Sequence, residues 1–271
     1  MRSPVIGGQM ATIGPWLAGA DSKSRTVKSA ERTLALFELF SLYQRPMGVG
    51  EIARRLEIPQ PSVSMLVHNL CNLGYLDHDR SARTYVPTIR IMLLGSWISR
   101  RFDQEHELER RLDALMGLGE SVIVGIQNGI YSQYVLVRLP EHPERLDIQS
   151  GLLRLMTCTA IGRALLAGKQ DSEIEAIVRC CNAEAAEERL RVRPAEFMKM
   201  IGQIREQGYA RTAGDMTPGR AVIAVVVDGP VGAMPIAVAV GGYVERIAQK
   251  DREILAALQQ FKASSPEAAR S

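Results

Sequence analysis

The stretch GEIARRLEIPQPSVSMLVHNLCNLGYL, residues 50–76, decides the fold of the amino-terminal third. Ile52, Ala53 and Leu56 stand at helical spacing, Glu57-Ile58-Pro59 makes a turn, and a second helical run follows over 61–73. Pro61 falls in the first turn of that run, where its missing N–H costs nothing. Val63, Leu66, Leu70 and Leu73 form the expected apolar face. Helix, tight turn, helix, with the small Ala53 at the crossing, predicts a helix-turn-helix. Gly74-Tyr75-Leu76 then opens a strand, Asp79-Arg80-Ser81-Ala82 turns, and Arg83 to Val86 returns. A hairpin with basic residues near its tip, directly after the second helix of such a pair, predicts a wing. Upstream, Ala30, Leu34, Phe37 and Phe40 recur at steps of three and four, a helix over 28–43.

A winged helix binds DNA by laying the first turns of its third helix in the major groove while the wing rests on the backbone. The outward residues of that helix are Gln60, Ser62, Ser64, Met65, His68 and Asn69. Arg80 and Arg83 on the wing, with Arg25 and Lys28 before the first helix, are placed to neutralise phosphates. The plainer alternatives are a winged helix used for protein contacts and a His68 that is simply solvated.

Charge supports the DNA reading. Residues 23–88 hold nine Lys/Arg against six Asp/Glu, whereas 89–271 hold 23 of each. The whole formal net charge of +3 therefore sits on one small segment, the footprint of a nucleic-acid module on a neutral remainder. With 5% aromatics the chain is a poor candidate for a base-stacking platform. At 46% hydrophobic and 23% charged it is neither a disordered tail nor a disulfide-stapled mini-protein, and 271 residues suit two domains.

Cys71, Cys158, Cys180 and Cys181 form no Cys-x-x-Cys pair, and His68, His78, His106 and His142 are scattered, so no metal and no cofactor is expected. Reduced cysteines and the lack of a convincing apolar leader point to the cytoplasm. Residues 221–242 carry the single charge Asp228, but Asp228-Gly229-Pro230 and Pro235 interrupt them. They predict a buried β-hairpin rather than a membrane span.

Ile91, Leu94, Trp97 and Ile98 share one side of a helix over 89–102, which needs a partner surface. A charged amphipathic helix over 104–118 turns Leu108, Leu112 and Leu115 inward. Val122 to Ile126, the Asn128-Gly129 turn and Ile130 to Leu139 predict a hairpin. Arg145 to Gln149 predicts a further strand, and 150–156 a loop. A Thr-rich cap opens a helix at Thr157; others are expected at 171–180, 194–207 and 245–261, and Gly208-Tyr209-Ala210 starts a strand. Hairpins with flanking helices predict an α+β class: a winged helix-turn-helix, a linker helix, and a carboxy-terminal antiparallel-sheet sensor domain of GAF/PAS-like kind. The boundaries are a mobile tail 1–24, the DNA-binding domain 25–88, the linker 89–104, the sensor domain 105–263 and a tail 264–271.

Gly50 to Leu56 with Ile58-Pro59, Ser62-Val63-Ser64, and Leu70 with Leu73-Gly74-Tyr75-Leu76 resemble the winged helix-turn-helix of the IclR family of bacterial transcriptional regulators. The resemblance continues over about 26–262. It implies a double-stranded operator as partner, dimers or tetramers paired through Leu94 and Trp97, and a small organic acid as effector. It departs where the family often carries Lys-Ser and His-Arg and this chain has Gln60-Pro61 and Ser64-Met65. The family's effector positions map onto Thr157 and Thr159, onto the amides of Ala160 and Ile161, and onto Thr212, Val222, Ala239 and Gly241. Polar side chains at the last four in the small-acid sensors become Thr, Val, Ala and Gly. The implied pocket is roomier and more apolar, suited to an aromatic or otherwise bulkier acid.

Two other function classes stay open. One is a DNA-binding regulator whose second domain is an inert dimerisation module. The other is a thiol-dependent enzyme at Cys158, although no Gly-x-Ser-x-Gly elbow, His-Glu-x-x-His, Walker loop or dinucleotide fingerprint is present.

Overall fold

In a computed structural model the described residues are 27–102, 107–142, 145–227 and 234–263. The expected tails at 1–24 and 264–271, Arg25 and the 228–230 turn lie outside them. The chain divides into two compact units at Arg101/Phe102.

The first unit holds α1 (Lys28–Tyr43), α2 (Val49–Leu56), α3 (Gln60–Asn72), β1 (Leu76–Asp79), β2 (Thr84–Pro87) and α4 (Arg90–Phe102). Its core is Leu36, Leu39, Phe40, Met47, Ile52, Val63, Val67, Leu70 and Leu76. The buried face of α1 is thus rotated from the expected stripe: Leu36 and Leu39 are fully buried, while Leu34 is 57% exposed. In α3 it is Val67 that is fully buried; Leu66 is half-buried and Leu73 is exposed. Both shifts have one cause: several apolar residues satisfy a helical period, and only the neighbouring helices choose among them. Gln44 and Glu57 end α1 and α2 in the left-handed region, at φ 48° and 54°, and Pro46 and Pro59 follow two residues on.

Glu38 on α1 is half-buried, and its Oε2 has no hydrogen-bond partner among the described residues. Burial raises its carboxyl to about 7. A folded-state value above the unfolded one means that stability is full below pH ~4.5 and falls as pH rises through 7. Glu38→Gln is therefore expected to stabilise the unit by about 1–2 kcal/mol at pH 8, after allowance for solvent screening, and by nothing at pH 4. Urea titrations of both proteins at the two pH values measure it.

The second unit is built on one antiparallel sheet in the order β5-β4-β3-β8-β7-β6. The strands are β3 (Ser121–Asn128), β4 (Tyr131–Arg138), β5 (Leu153–Leu155), β6 (Ala210–Ala213), β7 (Arg220–Val227) and β8 (Ile236–Tyr243). The helices are α5 (Glu107–Met116), α6 (Ala160–Ala167), α7 (Asp171–Glu184), α8 (Pro194–Gln207), α9 (Val244–Gln249) and α10 (Asp251–Ala263). Both faces of the sheet are covered, which is why β7 and β8 read as near-continuous apolar runs. Ile123, Ala224 and Ala239 face α6, α7 and α8; Val122, Ile223 and Val240 face α5, α9 and α10.

Two expectations fail here. Residues 145–149 form no strand; the edge strand is Leu153–Leu155, inside the expected loop. Gly151, at φ 89°, turns the chain, donates to Tyr134 O and brings the next residues onto the edge of β4. The carboxy-terminal helix is broken at Lys250, whose Nζ leaves the helical line for Leu118 O and the buried Glu120.

Candidate DNA-binding and effector sites

The wing is a short loop between Asp79 and Thr84, which pair in the hairpin. Asp79 Oδ1 accepts from the Ser81 hydroxyl (2.6 Å) and from the amides of Ser81 (2.8 Å) and Ala82 (3.0 Å). These bonds, the Ser81 hydroxyl first, hold its carboxyl below the usual carboxylate range. Arg83 sits in the loop at φ 53°, not in the returning strand as expected, because the loop needs a left-handed residue to close. His78 stacks on Tyr85 with centroids 4.4 Å apart, and Met47 exchanges backbone hydrogen bonds with Tyr85, which pins the wing to the loop between α1 and α2.

Lys28, Arg80 and Arg83 are exposed. On α3, Gln60, Ser64, Met65, His68 and Asn69 are exposed, and Ser62 is half-buried. Met65, at 72% exposed, is a large apolar side chain with no neighbour to cover it in this unit. A groove of 380 Å³ lined by Val49, Gln60, Pro61 and Ser64 lies at the start of α3. Arg55 is committed elsewhere, to Glu51 at 2.8 Å and to the Tyr43 ring at 3.9 Å.

On α4 and just before it, Ile89, Met92, Leu93 and Leu94 are each 57–65% exposed. The side chain of Trp97 lies outside the described residues.

In the second unit a 3₁₀ turn, Met156–Cys158, leads into α6. Thr159 caps the helix: its hydroxyl accepts from Gly162 N (2.9 Å) and bonds Ser132 Oγ (2.9 Å), which itself donates to Arg154 O. That hydroxyl is occupied by the fold. The amides of Ala160 and Ile161 meet no acceptor among the described residues. Arg163, buried, donates from Nε to Thr157 O and from Nη2 to Asp215, both at 2.8 Å, and ties the loop after β6 to the start of α6. Nothing in the spacing of Arg163, Asp215 and Ser132 along the sequence marked them.

Strand register puts Thr212 opposite Val222, Val222 opposite Gly241, and Ala224 opposite Ala239. With these strands' alternation, Thr212, Val222, Ala239 and Gly241 all lie on the face that α6 covers. The room expected beside Gly241 is filled in this structure. A Cβ there would lie 2.9 Å from Val222 Cγ2 and 3.1 Å from Leu146 Cδ1. Leu146, buried, comes from the 145–149 segment that forms no strand.

The Cys158 thiol donates to Leu190 O at 3.4 Å, and burial pushes its pKa up. An activated thiol needs the opposite shift. No group of three or more His, Cys, Asp or Glu that could hold a metal occurs among the described residues, and no helix of these is long and apolar enough to cross a membrane.

Comparison with known proteins agrees with both units. The family model for the IclR helix-turn-helix domain matches residues 29–80, and that for the bacterial transcriptional regulator IclR C-terminal region matches 100–265. The Pca regulon regulatory protein of Pseudomonas putida is 24% identical over 267 residues, covering 93% of this chain and 86% of its own. A crystal structure of an IclR transcriptional regulator from Alicyclobacillus acidocaldarius has a TM-score of 0.73 at 20% identity, covering 88% of this chain and 97% of that one. An IclR homolog from Microbacterium hydrocarbonoxydans, complexed with 4-hydroxybenzoate, has a TM-score of 0.66 at 14% identity, covering 88% and 100%. The two structures speak to the fold; the relatives and the matched families are transcriptional regulators, not enzymes. With its winged helix and its two-faced sheet each matched in turn, this chain belongs to the IclR family of DNA-binding bacterial transcriptional regulators.

Proposed function

We propose that the protein binds a pseudo-palindromic operator as a dimer or tetramer and releases or remodels it when an organic acid occupies the second unit. The observation that carries the DNA half is the exposed polar face of α3 beside a wing tipped by Arg80 and Arg83. Arg80 and Arg83 hold phosphates, as do Lys28 and Arg25; Gln60, Ser62, Ser64, Met65, His68 and Asn69 face the bases. Arg80→Ala or Arg83→Ala is expected to weaken binding to all sequences alike and to lower the salt slope by about one per lost phosphate contact. Ser64→Ala or His68→Ala should change which base pairs are preferred. Titrations of specific and random duplexes at several salt concentrations distinguish these; unchanged affinity in all four variants sinks the assignment.

The effector half rests on the unaccepted amides of Ala160 and Ile161, at a helix start that favours carboxylates. Val222, Ala239 and Gly241 offer the acid's body no hydrogen bonds, so a small polar acid leaves its own groups unpaired at about 1–3 kcal/mol each. An aromatic acid suits this surface, and a fold neighbour is complexed with one. Leu146 must then yield its place beside Gly241 to the ligand. Calorimetry is expected to show benzoate binding more tightly than glyoxylate, and Val222→Ser with Ala239→Ser reversing that order. Equal affinities in the wild type put the pocket elsewhere, and binding of neither acid favours the inert-domain reading.

A further inference from the structure

Two buried polar atoms on the α6-covered face of the sheet have no hydrogen-bond partner among the described residues: Ser121 Oγ and Arg220 Nη1. Ser121 is 1% exposed and pairs with Gly241. Arg220 pairs with Tyr243 in the next row of the same face, and its guanidinium carbon lies 3.4 Å from the centre of the Tyr243 ring. Tyr243 stands two residues past Gly241 on β8, so β8 separates the two residues and the stacked guanidinium lies one row beyond Ser121 on that face. A cation and a hydroxyl, both desolvated and both without an acceptor, are costly to leave so. An oxyanion is the kind of ligand that would satisfy both.

Resting on the effector reading above, we infer that Ser121 and Arg220 form a second carboxylate anchor, farther along the same sheet face, and that the effector is a dicarboxylic acid. The helix start lies over Gly125, whose Cβ position would be 2.7 Å from Ile161 Cγ2. Ser121 is four residues back along β3, about 13 Å away at ~3.3 Å per residue. Allowing about 3 Å for a hydrogen bond at each end leaves about 7 Å between the acid oxygens. That is the span of two carboxylates joined by one ring or a short carbon chain. The spacer lies along Val222 and Leu146, which meet at Gly241.

The test is calorimetry on the full chain with benzoate and with benzene-1,4-dicarboxylate. The wild type is expected to bind the diacid roughly tenfold or more tightly than the monoacid. Arg220→Gln and Ser121→Ala should each remove most of that preference and leave benzoate affinity unchanged, with melting curves confirming folded protein. Equal affinities in the wild type, which need no variant, overturn the second anchor while leaving the effector reading in place. A diacid preference that survives in folded Arg220→Gln also overturns it. If neither acid binds, the effector reading fails and this inference with it.

Discussion

Gly162→Ala is expected to destabilise the second unit by roughly 3 kcal/mol or more and to abolish acid binding. A Cβ at Gly162 would lie 2.2 Å from Met156 O and 2.4 Å from Met156 Cα, both backbone atoms. No rotamer relieves such a clash. Met156 is itself held, its amide donating to Ile130 O, and it is fully buried. The strap from Met156 to Thr159 must therefore move, and with it the Gly162 N to Thr159 Oγ1 cap and the adjacent amides of Ala160 and Ile161. Urea unfolding followed by calorimetry with benzoate measures both effects. The first unit has its own core and should keep its α3 surface, so isolated operator contacts survive. A variant as stable as the wild type shows that the strap is softer than its packing indicates.

Leu94→Asp is expected to cost about a hundredfold in operator affinity and to shift the protein toward monomer. One winged helix touches too few base pairs for tight specificity, so two must act together on half-sites. Ile89, Met92, Leu93 and Leu94 are all exposed, and nothing in their own unit covers them. A charge placed at an exposed apolar position such as Leu94 must be desolvated whenever two copies meet there. Light scattering at micromolar concentration and operator titration check the two effects together. A variant that still dimerises and binds as before moves the interface off α4.

The limits of α3 and of the paired helices were legible because local signals agree there: Pro61 at the helix start, Gly74 just past its end, and an apolar period between them. The Asn128-Gly129 turn likewise announced β3 and β4. The family, the winged helix and the sheet with flanking helices all follow from such patterns. Which apolar residues of α1 and α3 are buried does not, since Leu34 and Leu36 fit a helix equally well and only α2 and the wing choose between them. The edge strand went to Leu153–Leu155 rather than 145–149 because Gly151 turns the chain onto β4, a long-range pairing that no window of sequence contains. The candidate site divides the same way. The sequence by itself pointed to a Thr-capped helix start, expected at Thr157 and found, capped by Thr159, at Ala160 after a 3₁₀ turn, and to the small residues Ala239 and Gly241. The tertiary structure alone decided that Leu146 fills the space beside Gly241, that Arg163 reaches Asp215, and that Ser121 and Arg220 lie on one face without hydrogen-bond partners among the described residues. Each of these joins residues dozens of positions apart, through strand register and side-chain reach, and neither quantity is written in local composition.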